Sequence, residues 1–476
     1  MSVTNGKLAK NLILSVVAQI ISLCVSFLLG FIVPKFVDEY QYAHWQTFLL
    51  YFSYAGVLQF GLLDGIILRY AQYDYNELDQ SRMSGQFKVL LVWTSIVGLM
   101  ISGISCLFLD GVYRTVFLLV ALGVVTMHYH AYNSYIFQIT NRIGLYVGIN
   151  ILQRLVYGVA VILLLIFKIN GFVWLCLAEL FGEVVAAIFG TPFNKGLFFK
   201  RGCSLKETVK ETKANVSCGF LLMLANFSAS FLIGGARMVI EWHWDAPTFG
   251  KVSLSFSAAT LFLNFVTALS AVLFPSLKRM DEEELPSLYG KIRGVLSPLL
   301  FAALLAYFPF AFLLEKWLPN YESSIVYLGG ILPIIVFSTI VGLLTNTYFK
   351  AYRKEKQMLA INLATVALGF ALALICAYAL NSLDLLIYSV VFVIMLRSVV
   401  SEIVVYRTIG KKGVWLFVAE LALTVVFILS ARYFSLWLGM LVYFIALIPY
   451  LLIHGRNILE RFKKKKNDSV DERTEI

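Results

Sequence analysis

Five polar side chains, Ser253, Ser257, Thr260, Asn264 and Thr267, recur at alternating spacings of four and three within an otherwise apolar run. That spacing keeps them on one side of an α-helix. The apolar run before it carries Gly219, Asn226, Ser230, Gly234 and Arg237. Small and hydroxyl residues pack helix against helix in membranes, and Ser and Thr alone would mean no more than that. An arginine is different, because placing it at mid-depth costs about 2.5–3.5 kcal/mol on insertion scales. It must face a partner or water. Two polar stripes on consecutive helices, with Arg237 ending one of them, point to a hydrated cavity. Arg237, Asn226, Ser230, Ser253, Ser257, Thr260 and Asn264 are its candidate substrate contacts. The chemistry on offer is anion recognition, since a guanidinium fork can hold two phosphate oxygens at once. Gly234 and Gly235 are expected to leave room for a bulky headgroup. The competing reading pairs Arg237 with Glu241, one turn on.

Other charges fall inside apolar runs. Arg154 and Glu183 both lie about 14–16 Å deep on neighbouring helices, from opposite ends of a core about 30 Å thick. Glu179 is one turn from Glu183. A structural ion pair is the expected account, because intramembrane charges pair with one another. Arg397 and Glu420 lie at matching depths on consecutive helices and are expected to neutralise each other. Asp64, five residues from Arg69, is expected at the inner interface. Asp64 and Glu179 also keep an ion-coupling role open.

The elements that position these groups are read from composition. The 476 residues are 60% hydrophobic and only 14% charged, against about 25% charged in soluble domains. The chain is expected to be an all-α polytopic membrane protein with about fourteen transmembrane helices. They fall near 11–33, 43–66, 86–109, 115–138, 145–167, 172–190, 214–238, 250–273, 291–314, 325–349, 357–380, 384–406, 414–432 and 436–454. Lys7 and Lys10 precede the first run, and no small-residue cleavage site follows it, so it reads as a mature helix and not a signal peptide. Basic residues number 30 in the terminal segments and alternate connections and 6 in the others, with Arg154, Arg237 and Arg397 in spans. By the positive-inside rule both termini are cytoplasmic. The net charge of +11 is thereby explained without nucleic acid. Arg461 and Lys463 to Lys466 would meet anionic lipid headgroups.

A shift of 207 residues lays 11–66 on 218–273, with Gln19 on Asn226 and Asp38 on Asp245. The first helix has its own stripe of Asn11, Ser15, Gln19, Ser22 and Ser26, which adds Gln19 and Ser22 to the cavity candidates. Six helices followed by six suggest two repeats with a site at their interface. The expected organisation is an N-terminal lobe at 1–190, a basic cytoplasmic connection at 191–213 and a C-terminal lobe at 214–406. Two extra helices at 407–454 and a tail at 455–476 complete it.

Several functions are disfavoured. There is no GxxxxGK[ST] run for ATP. The five histidines are not expected to cluster with carboxylates, and His128 and His130 face different sides of a helix, so no metal is expected. Five of the six cysteines lie in apolar runs without disulfide or metal spacing. The outer loops are short, which argues against a membrane-embedded glycan polymerase. No cofactor and no enzymatic activity are expected.

Three stretches carry a family resemblance. They are Gly234-Gly235-Ala236-Arg237-Met238-Val239-Ile240-Glu241, Thr248-Phe249-Gly250-Lys251-Val252-Ser253 and Phe274-Pro275-Ser276-Leu277-Lys278-Arg279. With Phe60-Gly61-Leu62-Leu63-Asp64-Gly65 and Arg69-Tyr70, they resemble the Wzx-like oligosaccharide-lipid flippases of the multidrug/oligosaccharidyl-lipid/polysaccharide (MOP) exporter superfamily. The resemblance implies two six-helix lobes around a central cavity, in a bacterial plasma membrane. It implies alternating-access transfer of an undecaprenyl-diphosphate-linked oligosaccharide to the outer leaflet, alongside membrane lipids and other polysaccharide-assembly proteins. Many relatives place an aspartate before the arginine matched by Arg237; here it is Ala236. Lipid II flippases and multidrug/cation antiporters of the same superfamily are the alternatives.

Overall fold

The computed structural model describes residues 17–277, 285–410 and 415–453, with 264–277 described by backbone alone. Asn11, Ser15, Lys278, Arg279 and the tail from 455 lie outside the described residues, as do the side chains of Asn264 and Thr267. Among the described residues the chain is helical throughout and has no strand. A segment in lipid must satisfy its backbone hydrogen bonds internally, and a helix does so within one segment. Among the described residues nine helices are long and apolar enough to cross a membrane, or twelve if each of three bent pairs is one span. The other two expected spans correspond to the helices Ala246–Leu277 and Trp415–Tyr433.

The bends have local causes. The helix Glu39–Ala55 continues into a 3-10 turn and then breaks at Phe60 and Gly61, both left-handed (φ 51° and 81°). The helix Leu62–Tyr70 departs at 54°. Gly61 is required twice over, by its φ and by contact, since a Cβ there would lie 2.6 Å from the Phe220 nitrogen. At Gly65 a Cβ would lie 1.9 Å from the Asn215 carbonyl oxygen. The broken span therefore crosses the helix Leu205–His243 backbone on backbone, as small residues permit. In the other half, Pro333 lies at the 47° bend between Pro319–Ile331 and Ile334–Phe349. Proline has no N–H for the helix ladder.

The helix Leu205–His243 begins well before Ala214. Ser204 and Glu207 form a capping box, the S-x-x-E signature that starts a helix. The helix bends by 57° between Ser228 and Ser230. The chain divides into two compact units, Met1–Ser253 and Leu254–Ile476. In the first, Leu62, Leu63, Ile66, Met83, Tyr132 and Phe198 form a buried cluster. In the second, Tyr289, Leu344, Tyr348, Phe349 and Val405 do so.

Candidate functional site

In the first unit the helix Leu205–His243 presents Arg237 to the helix Glu39–Ala55. Arg237 Nη2 donates to Gln46 Oε1 at 3.3 Å and to Ser253 Oγ at 3.2 Å. Its guanidinium carbon lies 5.9 Å from the Phe249 ring centroid, within cation–π range. Ser253 and Gln46 are buried, and both accept through neutral oxygens. Glu241 accepts instead from Tyr51 Oη at 2.8 Å, and Trp242 Nε1 donates to the same phenol at 2.9 Å. The acid one turn from Arg237 is thus anchored to a tyrosine, and the arginine is aimed by a glutamine and a serine.

The rest of the stripe is spread along the helix. Asn226 and Ser230 are exposed. Ser230 Oγ donates to the Asn226 carbonyl at 3.3 Å, and Tyr54 Oη donates to the Ser230 carbonyl at 3.4 Å. Tyr54 fills the space expected to be open at Gly234, where a Cβ would coincide with its hydroxyl. The glycine serves the tyrosine and not an approaching headgroup. Gln19, Ser22 and Ser257 are half-buried, and Thr260 is exposed with its hydroxyl turned back onto the Phe256 carbonyl. Of the sequence candidates, the structure brings together Arg237 and Ser253. Gln46 and Tyr54 were missed; a glutamine in an apolar run was the available signal for the first.

The intramembrane charges pair differently from expectation. Arg154 is exposed and, among the described residues, makes no ion pair. Glu183 Oε2 lies 2.6 Å from His130 Nδ1, and Glu179 accepts from Gln153 Nε2 at 3.1 Å. The expectation that histidines stay apart from carboxylates is corrected: His130 is far from Glu183 in sequence but packs against it across two helices. Asp64 sits in the first turn after the break, buried, and accepts from Gln59 Nε2 at 2.8 Å. A carboxylate in a helix's first turn is favoured by the helix dipole. Arg69 turns away from it to Glu211 and Asn215.

In the second unit Glu420 does not meet Arg397. It accepts from Arg293 Nη1 and Nη2, both at 2.7 Å, and from Ser297 and Tyr450. Glu402 accepts from Arg293 Nε at 2.7 Å and Nη2 at 3.2 Å. Arg293 is 2% exposed. The count of basic residues by connection takes Arg293 together with Lys291 outside the span; the structure buries it within the helix Leu285–Ala303.

Helix count, length and apolarity together define a multi-pass membrane protein. Solved structures of similar fold belong to the MOP superfamily. The lipid II flippase MurJ, in an inward closed conformation, matches with a TM-score of 0.66 at 10% identity, over 94% of this chain and 99% of that one. A multidrug resistance MATE family transporter of the MOP superfamily, inward-facing, matches with a TM-score of 0.58 at 13% identity, over 82% of this chain and 98% of that one. An outward-facing MATE structure gives 0.52 at 16% identity, over 84% and 96%. No protein-family model and no curated protein matches the sequence.

Proposed function

We propose that this chain is a flippase that carries an undecaprenyl-diphosphate-linked oligosaccharide from the inner to the outer leaflet by alternating access. The observation that carries the reading is the aim of Arg237. Its guanidinium is oriented by two neutral acceptors on a helix that also exposes Asn226 and Ser230. An exposed asparagine in a spanning helix favours a wet surface over lipid. The greater share of the chain covered by the lipid II flippase than by the MATE structures supports a lipid-linked substrate.

The test is surface glycan export at matched protein abundance. Arg237→Gln is expected to lose most export while still accumulating in the membrane. Arg237→Lys keeps the charge but not the fork, and exports slowly. Glu241→Gln keeps an acceptor for Tyr51 and exports near normally. Full export by Arg237→Gln would end the diphosphate reading. A multidrug or cation exporter is the second reading, favoured by the buried carboxylates Glu179 and Glu183 beside His130. Loss of drug resistance with normal glycan export on removing the chain would establish it instead.

A further inference from the structure

The connection at 191–213 is fastened to the first unit by its backbone and turns apolar side chains outward. Ser84 Oγ donates to the Lys200 carbonyl at 2.7 Å, and Lys88 Nζ donates to the same carbonyl at 3.1 Å. Phe198 is buried, with its ring centroid 4.4 Å from that of Phe87 and 5.5 Å from that of Tyr132. Its neighbour Phe199 is 76% exposed. The segment is thus held on both sides of Phe199, and the ring stays outward.

The helix Leu205–His243 repeats the arrangement in its first turns. One side faces the helix Gln80–Phe108, where Thr212 and Asn215 meet Gln86 at 3.1 and 3.2 Å. Another side carries Leu205 and Val209, 79% and 56% exposed. At about 100° per residue these two lie about 40° apart, and Lys213, Lys206 and Lys210 follow within about the next 100°. An apolar stripe bordered by lysines suits a lipid interface, because the apolar side enters the acyl boundary while the ammonium groups reach the headgroups.

The charge of the segment is not neutralised from within. Lys200, Arg201, Lys206, Lys210 and Lys213 are exposed, and no ion pair among the described residues includes them. The two acids of the segment are committed. Glu207 accepts from Ser204 N and Oγ at the helix cap, and Glu211 accepts from Arg69 and Tyr70.

We propose that Phe199, Leu205 and Val209, with the cations beside them, form a binding surface for acidic phospholipid. The three apolar side chains seat among the acyl chains just below the headgroups, and the lysines and Arg201 take the phosphates. A zwitterionic lipid offers the same apolar seat without net negative charge, so the surface selects acidic headgroups. A soluble acidic protein would match the cations, but this helix continues into a bent membrane span, which brings the leaflet itself against the stripe. The same helix carries Arg237, so the lipid holds one end of the element that presents it.

The test uses the purified full-length chain in phosphatidylcholine nanodiscs, with a dye on the half-buried Cys203 of the connection and the other cysteines replaced by alanine. Phosphatidylglycerol or phosphatidylcholine with a nitroxide high on the acyl chain is added at equal mole fraction. Labelled phosphatidylglycerol is expected to quench the dye several-fold more than labelled phosphatidylcholine. Lys206→Gln with Lys210→Gln and Lys213→Gln loses most of that excess. Its unfolding midpoint in phosphatidylcholine stays at the parent value, which separates lost binding from lost fold. Phe199→Ser with Leu205→Ser lowers quenching by both lipids. Equal quenching by the two lipids in the parent chain would overturn the proposal, as expected if a protein covers this face. So would an excess retained in full by the lysine variant, or quenching unchanged in Phe199→Ser with Leu205→Ser.

Discussion

Buried acids are handled in opposite ways in the two units. In Leu254–Ile476, Glu402 and Glu420 are gripped by one arginine through four hydrogen bonds, and Tyr289, Ser297 and Tyr450 supply more. In Met1–Ser253, Glu183 meets a histidine and Glu179 a glutamine. A guanidinium stays charged, so the first arrangement is fixed in one protonation state at its centre. In the second, an imidazole and an amide on two different helices each meet one acid. The first cluster is built to hold helices, joining Leu285–Ala303, Leu383–Thr408, Trp415–Tyr433 and Leu436–Ile453. The second is held by fewer hydrogen bonds among the described residues.

The comparison breaks first at Arg293. Arg293→Met leaves two buried carboxylates uncompensated, a loss of about 3–5 kcal/mol where one partner of a buried pair is removed. Membrane abundance and the unfolding midpoint are expected to fall sharply, and normal abundance would remove the cluster's structural role. Combining Arg293→Met with Glu402→Gln and Glu420→Met should recover much of the loss, because a buried ion cluster and an apolar replacement are often of similar stability.

Gly65→Ala comes next. The new methyl meets the Asn215 carbonyl at the crossing of two helices, and overpacking of this kind costs about 1–3 kcal/mol. A lower midpoint with export reduced in proportion is the expected outcome. An unchanged midpoint would mean that the crossing opens easily.

Glu183→Gln should cost less, about 1 kcal/mol, because the amide still offers His130 a hydrogen bond and no charge is stranded. Abundance is expected to stay near normal. A collapse as large as that of Arg293→Met would erase the distinction between the units. Arg154→Gln is expected to be the smallest change: its exposed guanidinium acts on Glu179 through its charge and makes no ion pair among the described residues. A large loss of abundance would reinstate the pairing with Glu183 that the sequence suggested.

Part of this was legible in advance. Hydropathy located apolar runs, of which nine helices, or twelve with the bent pairs, are long and apolar enough among the described residues to cross a membrane. The capping box at Ser204 and Glu207 was also on the page, and it would have moved the start of the long helix back from Ala214. Pro333 and Gly61 mark breaks that a hydropathy window averages away. The alternation of Ser253, Ser257 and Thr260 does not say that Ser253 is the one among them to hold Arg237. Gln46, its other partner, lies far back in the chain.

The sequence by itself determined that the chain is helical and membrane-spanning. Each span decides that alone, through apolar length and a backbone that can be satisfied within one segment. Only the tertiary structure decided which buried charges meet. Depth follows from position along a span, and depth paired Arg154 with Glu183 and Arg397 with Glu420. Contact requires also that two helices be neighbours and turned towards each other, at about 100° of rotation for every residue. Arg293 reaches Glu420 across more than a hundred residues of chain, and His130 reaches Glu183 across the helix between them in sequence. No local pattern encodes those neighbours, because they are set by the packing of all the helices in a unit at once.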